Sequence, residues 1–145
     1  MSFSELGIAP AIVQVLKEQG ITETFEVQAE AIPAMMQGKD VCCRAPTGSG
    51  KTLAFGLPLI SRCKPAHPRY PTALVVTPTR ELAEQICKVL QPLARPQKLG
   101  VMAVYGGTSY AKQRQRLEQG VEIIVACPGR LIDLMEKGML KLDDV

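Results

Sequence analysis

Residues 45–52, Ala-Pro-Thr-Gly-Ser-Gly-Lys-Thr, decide the fold of this 145-residue chain. They stand between an apolar run at 40–44, which predicts a buried strand, and a segment at 51–62 that predicts a helix. A glycine-rich turn between a strand and a helix directs successive backbone N–H groups, and the helix N-terminus, at one anion. The stretch therefore predicts a loop that holds the phosphates of a nucleoside triphosphate.

The residue types of this loop suit phosphate chemistry. Gly48 and Gly50 supply the backbone freedom that the turn requires. The Lys51 ammonium is expected to reach the outer phosphates, and the Thr52 hydroxyl to help hold the Mg²⁺ of the triphosphate. Lys51 and Thr52 are thus the candidate catalytic residues, and Thr52 is the candidate metal contact. Ala45 departs from the general GxxxxGK[ST] pattern, which leaves a chance Gly-Lys-Thr turn as the alternative.

The alternation of strands and helices indicates the architecture. Four nearly continuous apolar runs rich in Val and Ile predict strands, at 40–44, 72–77, 100–105 and 122–126. Helices are predicted at 10–19, 25–37, 51–62 and 79–93, with a solvated surface helix at 111–119. Continuous apolar strands are covered on both faces, so we expect an α/β fold with a parallel sheet between helices.

Composition excludes several other classes of protein. A hydrophobic content of 46% indicates a folded domain, and a net charge of +3 is too small to prove a nucleic-acid partner. The five cysteines lack a CxxC pair, and the adjacent Cys42 and Cys43 are interpreted as core residues of the first strand. No apolar stretch approaches the roughly 18 residues of a membrane span. We therefore expect a cytoplasmic protein with no membrane contact.

With alanine in first place, the phosphate loop resembles that of DEAD-box RNA helicases. Residues 20–28, G-I-T-E-T-F-E-V-Q, resemble the family's adenine-reading motif, and Phe3 stands where its upstream aromatic residue is expected. The other matching segments are P-T-R-E-L-A at 78–83, Gly106-Gly107, C-P-G-R at 127–130 and the helix at 130–137. The resemblance spans nearly the whole chain and implies a RecA-like P-loop fold.

The resemblance also implies the residues that bind ATP with Mg²⁺. These are Phe3, Gln28, Ala45, Pro46, Thr47, Gly48, Ser49, Gly50, Lys51 and Thr52. The Gln28 amide both donates and accepts hydrogen bonds, which suits the adenine edge and would select ATP over GTP. Phe3 is expected to pack on the base, with closure of the core as the alternative.

The implied RNA site uses loops and helix starts at one end of the sheet. Its residues are Pro78, Thr79, Arg80, Gly106, Gly107, Cys127, Pro128, Gly129 and Arg130. Helix N-termini and backbone amides bind phosphates without reading bases, so the expected RNA contacts are independent of sequence. For Arg80, a structural salt bridge is the alternative.

Two departures from the family pattern are Glu26 in place of a proline and Cys127 in place of a threonine. A thiol is a weaker hydrogen-bond donor than a hydroxyl, so Cys127 predicts weakened RNA binding.

The sequence also stops before the family's Asp-Glu-Ala-Asp motif and second RecA-like domain. We therefore expect the N-terminal part of the first RecA-like domain, with an adenine-recognition segment at 1–38 and a partial ATP-binding domain at 39–145. The sheet is expected to lack the strands between those at 40–44 and 72–77, so that the fragment is marginally stable or self-associates and is inactive alone. The full-length protein is expected to be a monomeric RNA helicase; the alternative is a non-catalytic nucleotide or RNA-binding module.

Overall fold

A computed structural model describes residues 1–46 and 50–145. The chain forms two compact units, Met1–Arg62 and Cys63–Val145. The boundary between the two units therefore lies after the predicted helix at 51–62. The sequence-based division after residue 38 has a different basis, because it separates the expected adenine-recognition segment from the expected ATP-binding domain. That functional division stays a prediction.

The described residues of the first unit form three helices. They are α1 (Pro10–Glu18), α2 (Glu26–Met36) and α3 (Lys51–Arg62), preceded by a 3-10 turn at Ser4–Leu6. All three helices were predicted. After α1 and α2 the chain turns at Gly20 and Gly38, whose φ angles of 79° and 83° favour glycine. The fully buried side chains of this unit are Phe3, Ile12, Leu16, Ile32, Leu57 and Ile60.

The predicted strand at 40–44 is wrong. Residues 39–46 are irregular, and Cys42, Cys43 and Arg44 are exposed. A strand needs hydrogen-bonded neighbours for its backbone groups, and the described sheet consists of three other strands. Without neighbours the apolar pattern alone does not form a strand, so the interpretation of Cys42 and Cys43 as core residues is wrong as well.

The second unit alternates strands and helices as predicted. Its elements are β1 (Ala73–Val76), α4 (Arg80–Ala94), β2 (Val101–Val104), α5 (Tyr110–Gln119), β3 (Ile123–Ala126) and α6 (Pro128–Glu136). α4 begins after Thr79, whose hydroxyl oxygen accepts a hydrogen bond from the Leu82 N–H at 3.2 Å. α5 begins in the same way after Ser109, which accepts from Lys112 N–H at 3.4 Å.

The three strands form a parallel sheet in the order β1-β3-β2. Ile123 of β3 is in register with Ala73 on one side and Val101 on the other. All four residues of β3 are buried, as expected of a central strand covered on both faces. At the outer edge of β1, Val76 is 56% exposed.

Glu122 fixes the loops at the amino ends of the strands. Its carboxylate oxygens accept hydrogen bonds from the N–H groups of Ala66 at 3.0 Å and Gly100 at 2.7 Å. The first of these donors lies in the proline-rich segment 64–71, which forms a loop. One carboxylate thus holds two separate connections of the second unit in place.

Among the described residues, no helix has the length and apolar content needed to cross a bilayer.

Candidate functional site

The start of α3 has the backbone geometry of an anion site. Gly50, directly before the helix, has φ +82°, and a Cβ there would lie 2.3 Å from Gln28 Nε2 and 2.8 Å from Phe25 Cδ2. Only glycine fits this position. The first-turn N–H groups of α3 have no acceptor within the helix, so they are available to a phosphate. The predicted residues Thr47, Gly48 and Ser49 lie outside the described residues.

Lys51 connects the two ends of the predicted phosphate loop. Its Nζ donates a hydrogen bond to the backbone oxygen of Ala45 at 2.7 Å, and its side chain is exposed. A phosphate oxygen carries charge and is a stronger acceptor than a carbonyl. The Lys51 ammonium can therefore exchange this contact for a phosphate. The neighbouring Thr52 is half-buried in the first turn of α3.

Gln28 links the predicted adenine motif to the phosphate loop. Its side chain is 2% exposed; Oε1 accepts from the Phe25 N–H at 2.9 Å, and Nε2 donates to the Gly50 oxygen at 3.1 Å. Both ends of the amide are thus engaged within the chain. Each end keeps one further hydrogen-bonding position, a second lone pair on Oε1 and a second N–H on Nε2, so base reading requires access to this buried amide and not the loss of its two contacts. No pattern in the sequence indicated the bond between residues 28 and 50.

The two phenylalanines of the adenine segment differ in exposure. Phe3 is 1% exposed and lies in the core of the first unit, which is the place that the alternative interpretation gave it. Its contact with a base stays a prediction. Phe25, which the sequence analysis did not single out, is 57% exposed.

An open cavity of about 690 Å³ lies beside the phosphate loop. Its walls come from the start of α2, including Phe25, Glu26 and Glu30, and from residues 41–46. Ligand pockets commonly have volumes of roughly 300–1,000 Å³, so a nucleotide fits by size. The carboxylates of Glu26 and Glu30 repel phosphates. Arg44, which also lines the cavity, attracts phosphates, so a triphosphate is favoured on the side of residues 44–46.

In the second unit, the predicted RNA residues gather at one edge of the sheet. Because the strands are parallel, the loops after β1, β2 and β3 leave the same edge. Two backbone bonds continue the ladders into these loops: Thr77 N–H donates to Ala126 at 2.9 Å, and Cys127 N–H donates to Val104 at 2.8 Å. The structure thus brings together the segments 78–80, 106–107 and 127–130.

The start of α6 lacks a side-chain cap. Cys127 occupies the N-cap position without a side-chain hydrogen bond to the helix, and Pro128 follows as the first helical residue. Since a thiol caps poorly, the first-turn amides of α6 remain available to an external acceptor. Pro128 and Gly129 are exposed beside them.

Arg80 lies over the Tyr105 ring, with Cζ 4.8 Å from the centroid. Its Nε is 3.7 Å from Glu84 Oε1, so the predicted alternative of a structural salt bridge is present. The Tyr105 hydroxyl donates to the same carboxylate oxygen at 2.6 Å. This hydrogen bond is the main cause that lowers the pKa of Glu84 and raises the pKa of Tyr105. Arg80 nevertheless remains exposed at the edge of the sheet.

Arg130 lies on the other side of the Gly106-Gly107 turn from Arg80. Its Nη1 donates to the Thr108 oxygen at 3.1 Å and to Gln113 Oε1 at 2.9 Å. Its Cζ lies 3.9 Å from the centroid of the Tyr110 ring. The Tyr110 hydroxyl donates to Asp133, and this bond is the main cause that lowers the pKa of Asp133.

Tyr105 and Tyr110 therefore flank the Gly106-Gly107 turn, and each stacks with one of the two arginines. Sequence reasoning missed both tyrosines, because a single aromatic residue beside a glycine pair has no pattern that shows its partner. The turn itself requires glycine, since Gly107 has φ +82°.

Comparison with known proteins agrees with these features. A family model described as DEAD/DEAH box helicase matches residues 25–145. RNA helicase CrhR of Synechocystis sp. is 40% identical over 144 residues, which cover 99% of this chain and 29% of the relative. The DEAD-box ATP-dependent RNA helicase CshA of Streptococcus pneumoniae is 40% identical over 145 residues, covering 100% of this chain and 28% of the relative.

Solved structures show the same fold. A DEAD box protein from Methanococcus jannaschii matches with a TM-score of 0.90 and 31% identity, covering 100% of this chain and 39% of that structure. Prp28 from Chaetomium thermophilum, bound to ADP, matches with a TM-score of 0.87 and 37% identity over 97% of this chain and 35% of that structure.

The chain thus spans less than a third of the length of these curated relatives. The predicted RecA-like α/β fold and the predicted resemblance to DEAD-box helicases are confirmed. Because the family model matches residues 25–145, the chain belongs to the DEAD/DEAH box helicase family.

Proposed function

We propose that the protein containing this chain is an ATP-dependent RNA helicase. The observation that carries the proposal is the gathering of three strand-end loops, with Arg80 and Arg130, at one edge of the sheet in a DEAD/DEAH box chain. The names of similar proteins support it, since CrhR is an RNA helicase and CshA an ATP-dependent one. The five free cysteines suit a reducing, cytoplasmic location.

ATP is held by the first unit in this proposal. The free amides at the start of α3 and the Lys51 ammonium bind its phosphates, and the Thr52 hydroxyl contacts its Mg²⁺. The close approach of Gly50 to Gln28 supports the fit, because it places the predicted adenine reader directly beside the start of α3. ATP with Mg²⁺ supplies phosphoryl transfer to water when bound. Gln28, held by its hydrogen bonds to Phe25 and Gly50, selects adenine with the donor and acceptor positions that these bonds leave free.

RNA is held by the second unit. The amides at the start of α6 bind the phosphate backbone, and Arg80 and Arg130 add positive charge on either side of Gly106-Gly107. These groups contact phosphates rather than base edges. Binding is therefore independent of sequence, and it weakens as salt rises.

The 145 residues include no Asp-Glu-Ala-Asp sequence. We propose that hydrolysis and strand separation depend on carboxylates elsewhere in the whole protein, which acts as a monomer. The chain by itself then binds nucleotide and RNA without useful hydrolysis. The second candidate function is a non-catalytic nucleotide or RNA-binding module.

RNA-stimulated ATP hydrolysis distinguishes the two candidates. The whole protein is expected to hydrolyse ATP faster with RNA and to lose this activity in a Lys51→Ala variant, which should retain RNA binding. Separation of a short RNA duplex is expected only with ATP present. Nucleotide and RNA binding without any hydrolysis by the whole protein would favour the binding module instead.

A further inference from the structure

The outer edge of β2 presents backbone groups that have no strand partner among the described residues. On the inner side of β2, the Gly100 oxygen accepts a hydrogen bond from the Ile123 N–H of β3 at 3.0 Å. Alternate residues of a parallel strand direct their N–H and C=O groups to opposite sides, so those of Val101 and Ala103 point away from β3. In the described sheet, β2 has a neighbour on one side only.

Helix side chains cover one position of this edge and leave the next one open. The Val101 oxygen accepts from Gln91 Nε2 and from Arg116 Nη2, each at 3.4 Å. Both distances exceed the usual range of roughly 2.7–3.2 Å for N–H···O bonds, so both contacts are weak. The N–H and oxygen of the half-buried Ala103 have no hydrogen-bond partner within the part of the chain that the structure describes. Ala103 therefore offers one donor and one acceptor to an added strand.

A small basic cavity opens beside Ala103. Its volume is about 160 Å³, against roughly 300–1,000 Å³ for ligand pockets, so it has room for a side chain rather than for a whole small molecule. Its described lining includes two basic side chains, Lys112 and Arg116, and no carboxylate. The two are exposed on the same face of α5, four residues apart. The cavity thus favours an acidic side chain.

We propose that the outer edge of β2 binds an extended acidic peptide segment of a partner protein. The segment adds as a strand beside β2, and its backbone exchanges hydrogen bonds with Ala103. Its acidic side chains, on alternate residues, point to one face and reach Lys112 and Arg116. Basic side chains at a sheet edge discourage pairing with neutral or basic strands, so the charge of this edge selects an acidic segment.

A peptide matches this edge better than an RNA backbone does. A phosphate group accepts hydrogen bonds but donates none, so it can contact Lys112 and Arg116 but not the Ala103 oxygen. A peptide strand carries a donor and an acceptor on each residue, and these match both backbone groups of Ala103. The open backbone pair is therefore the feature that favours a protein partner.

Binding of a short peptide to the whole protein tests this docking site. The probe is a fluorescein-labelled Glu-Val-Glu-Val-Glu-Val peptide, and the analogue Lys-Val-Lys-Val-Lys-Val is expected not to bind. Lys112→Glu should weaken binding of the acidic peptide by about three- to twentyfold, because one exposed ion pair is replaced by a repulsion of similar size. Arg114→Glu is the matched control, since Arg114 lies on the same helix but pairs with Glu118 and does not line the cavity. It should leave peptide affinity unchanged.

The backbone contact is tested at Ala103. Because the Ala103 N–H points outward, Ala103→Pro removes the edge donor without removing a hydrogen bond to β3, and it should abolish peptide binding. Hydrogen exchange provides a second measurement that needs no substitution. In the original protein labelled with ¹⁵N-alanine, the Ala103 amide should exchange more slowly when the acidic peptide is bound, whereas Ala126 of the central strand should not change.

Three results would overturn the inference. The first is an Ala103 amide whose exchange the peptide does not alter, or equal affinity for the acidic and basic peptides. The second is an Ala103 amide already protected without peptide, since another part of the protein would then cover the edge. The third is a Lys112→Glu variant that loses RNA affinity and keeps peptide affinity. The docking site does not depend on ATP hydrolysis or strand separation, so it and the proposed function can fail separately.

Discussion

The guanidinium of Arg130 lies over the ring of Tyr110, 3.9 Å from its centroid. A second contact of this kind, between Arg80 and Tyr105 at 4.8 Å, lies on the other side of the Gly106-Gly107 turn. The Tyr110 hydroxyl donates to Asp133, which lies on α6 with Arg130. The Tyr105 hydroxyl donates to Glu84, which lies on α4 with Arg80. The starts of α4 and α6 are thus both attached to the Gly106-Gly107 turn, which holds the two arginines on either side of it.

Loss of the Tyr110 ring should weaken RNA binding. Tyr110→Leu is expected to lower affinity for single-stranded RNA by about two- to fivefold, the strength of an exposed cation–π contact. Tyr110→Phe keeps the ring and should lose less. Affinity and its salt dependence are measured by fluorescence anisotropy.

Tyr70→Leu is the matched control, because Tyr70 has Lys141 Nζ at 5.7 Å from its ring but lies in the proline-rich loop. If Tyr70→Leu weakened RNA binding as much as Tyr110→Leu, the effect would be general destabilisation rather than placement of Arg130.

A hydroxyl at position 127 should stabilise α6. Cys127 is an N-cap residue without a side-chain hydrogen bond, and a threonine there can accept from the first-turn amides. Cys127→Thr is expected to raise the free energy of unfolding by about 0.5–1 kcal/mol, measured by urea denaturation. RNA affinity should rise as well, because the hydroxyl can accept from one first-turn amide and still donate to a phosphate, which a thiol does more weakly. Cys127→Ala, which cannot cap, should show neither gain, and an RNA affinity of Cys127→Thr equal to the original would contradict the expected phosphate contact.

The hydrogen bond from Tyr105 should be visible in the titration of Glu84. The folded-state pKa of Glu84 is lowered mainly by this bond. A lowered carboxyl pKa contributes stability that is present above the unfolded pKa and is lost as pH falls through the folded pKa. NMR titration of Tyr105→Phe should therefore give a higher Glu84 pKa than the original protein.

Asp133 is the internal control for this titration. Its pKa is lowered mainly by Tyr110, so it should not change in Tyr105→Phe and should rise in Tyr110→Phe. Equal changes at both carboxylates in either variant would argue against two separate contacts.

Removal of the Glu122 carboxylate should destabilise the second unit. Glu122→Ala leaves the Ala66 and Gly100 N–H groups without their acceptor, at an expected cost of about 2–4 kcal/mol. Glu122→Gln keeps one acceptor oxygen and should cost less. Glu118→Ala breaks an exposed pair with Arg114 and should cost about 0.5 kcal/mol or less. Similar melting temperatures for Glu122→Ala and Glu118→Ala would refute the structural role of Glu122.

The elements that local pattern controls could be predicted from the sequence. The helix at Arg80–Ala94 has a capping threonine and apolar residues at helical spacing, and β3 is a short run of Ile, Val and Ala. The run at 40–44, Asp-Val-Cys-Cys-Arg, is apolar only at its centre and forms no strand, since pairing depends on neighbours that a local pattern does not include.

Only part of the candidate site could likewise be predicted from the sequence. The phosphate loop and the strand-end motifs could be found, because their residue types and order are specific. The bond from Gln28 to Gly50, and that from Arg130 to Gln113, join segments 22 and 17 residues apart. Such contacts depend on how the segments pack, so no short pattern predicts them.

A methyl group at Gly50 should uncouple Gln28 from the phosphate loop. In Gly50→Ala the new Cβ would lie 2.3 Å from Gln28 Nε2, and φ +82° is strained for alanine. The Gln28 amide must then move away from Gly50, so the preference for ATP over GTP should fall together with ATP affinity. Gln28→Ala should lose the preference while keeping tripolyphosphate affinity, because it leaves the loop backbone unstrained. Competition binding with ATP, GTP and tripolyphosphate measures all three effects, and an unchanged ATP preference in Gly50→Ala would show that base reading does not depend on this contact.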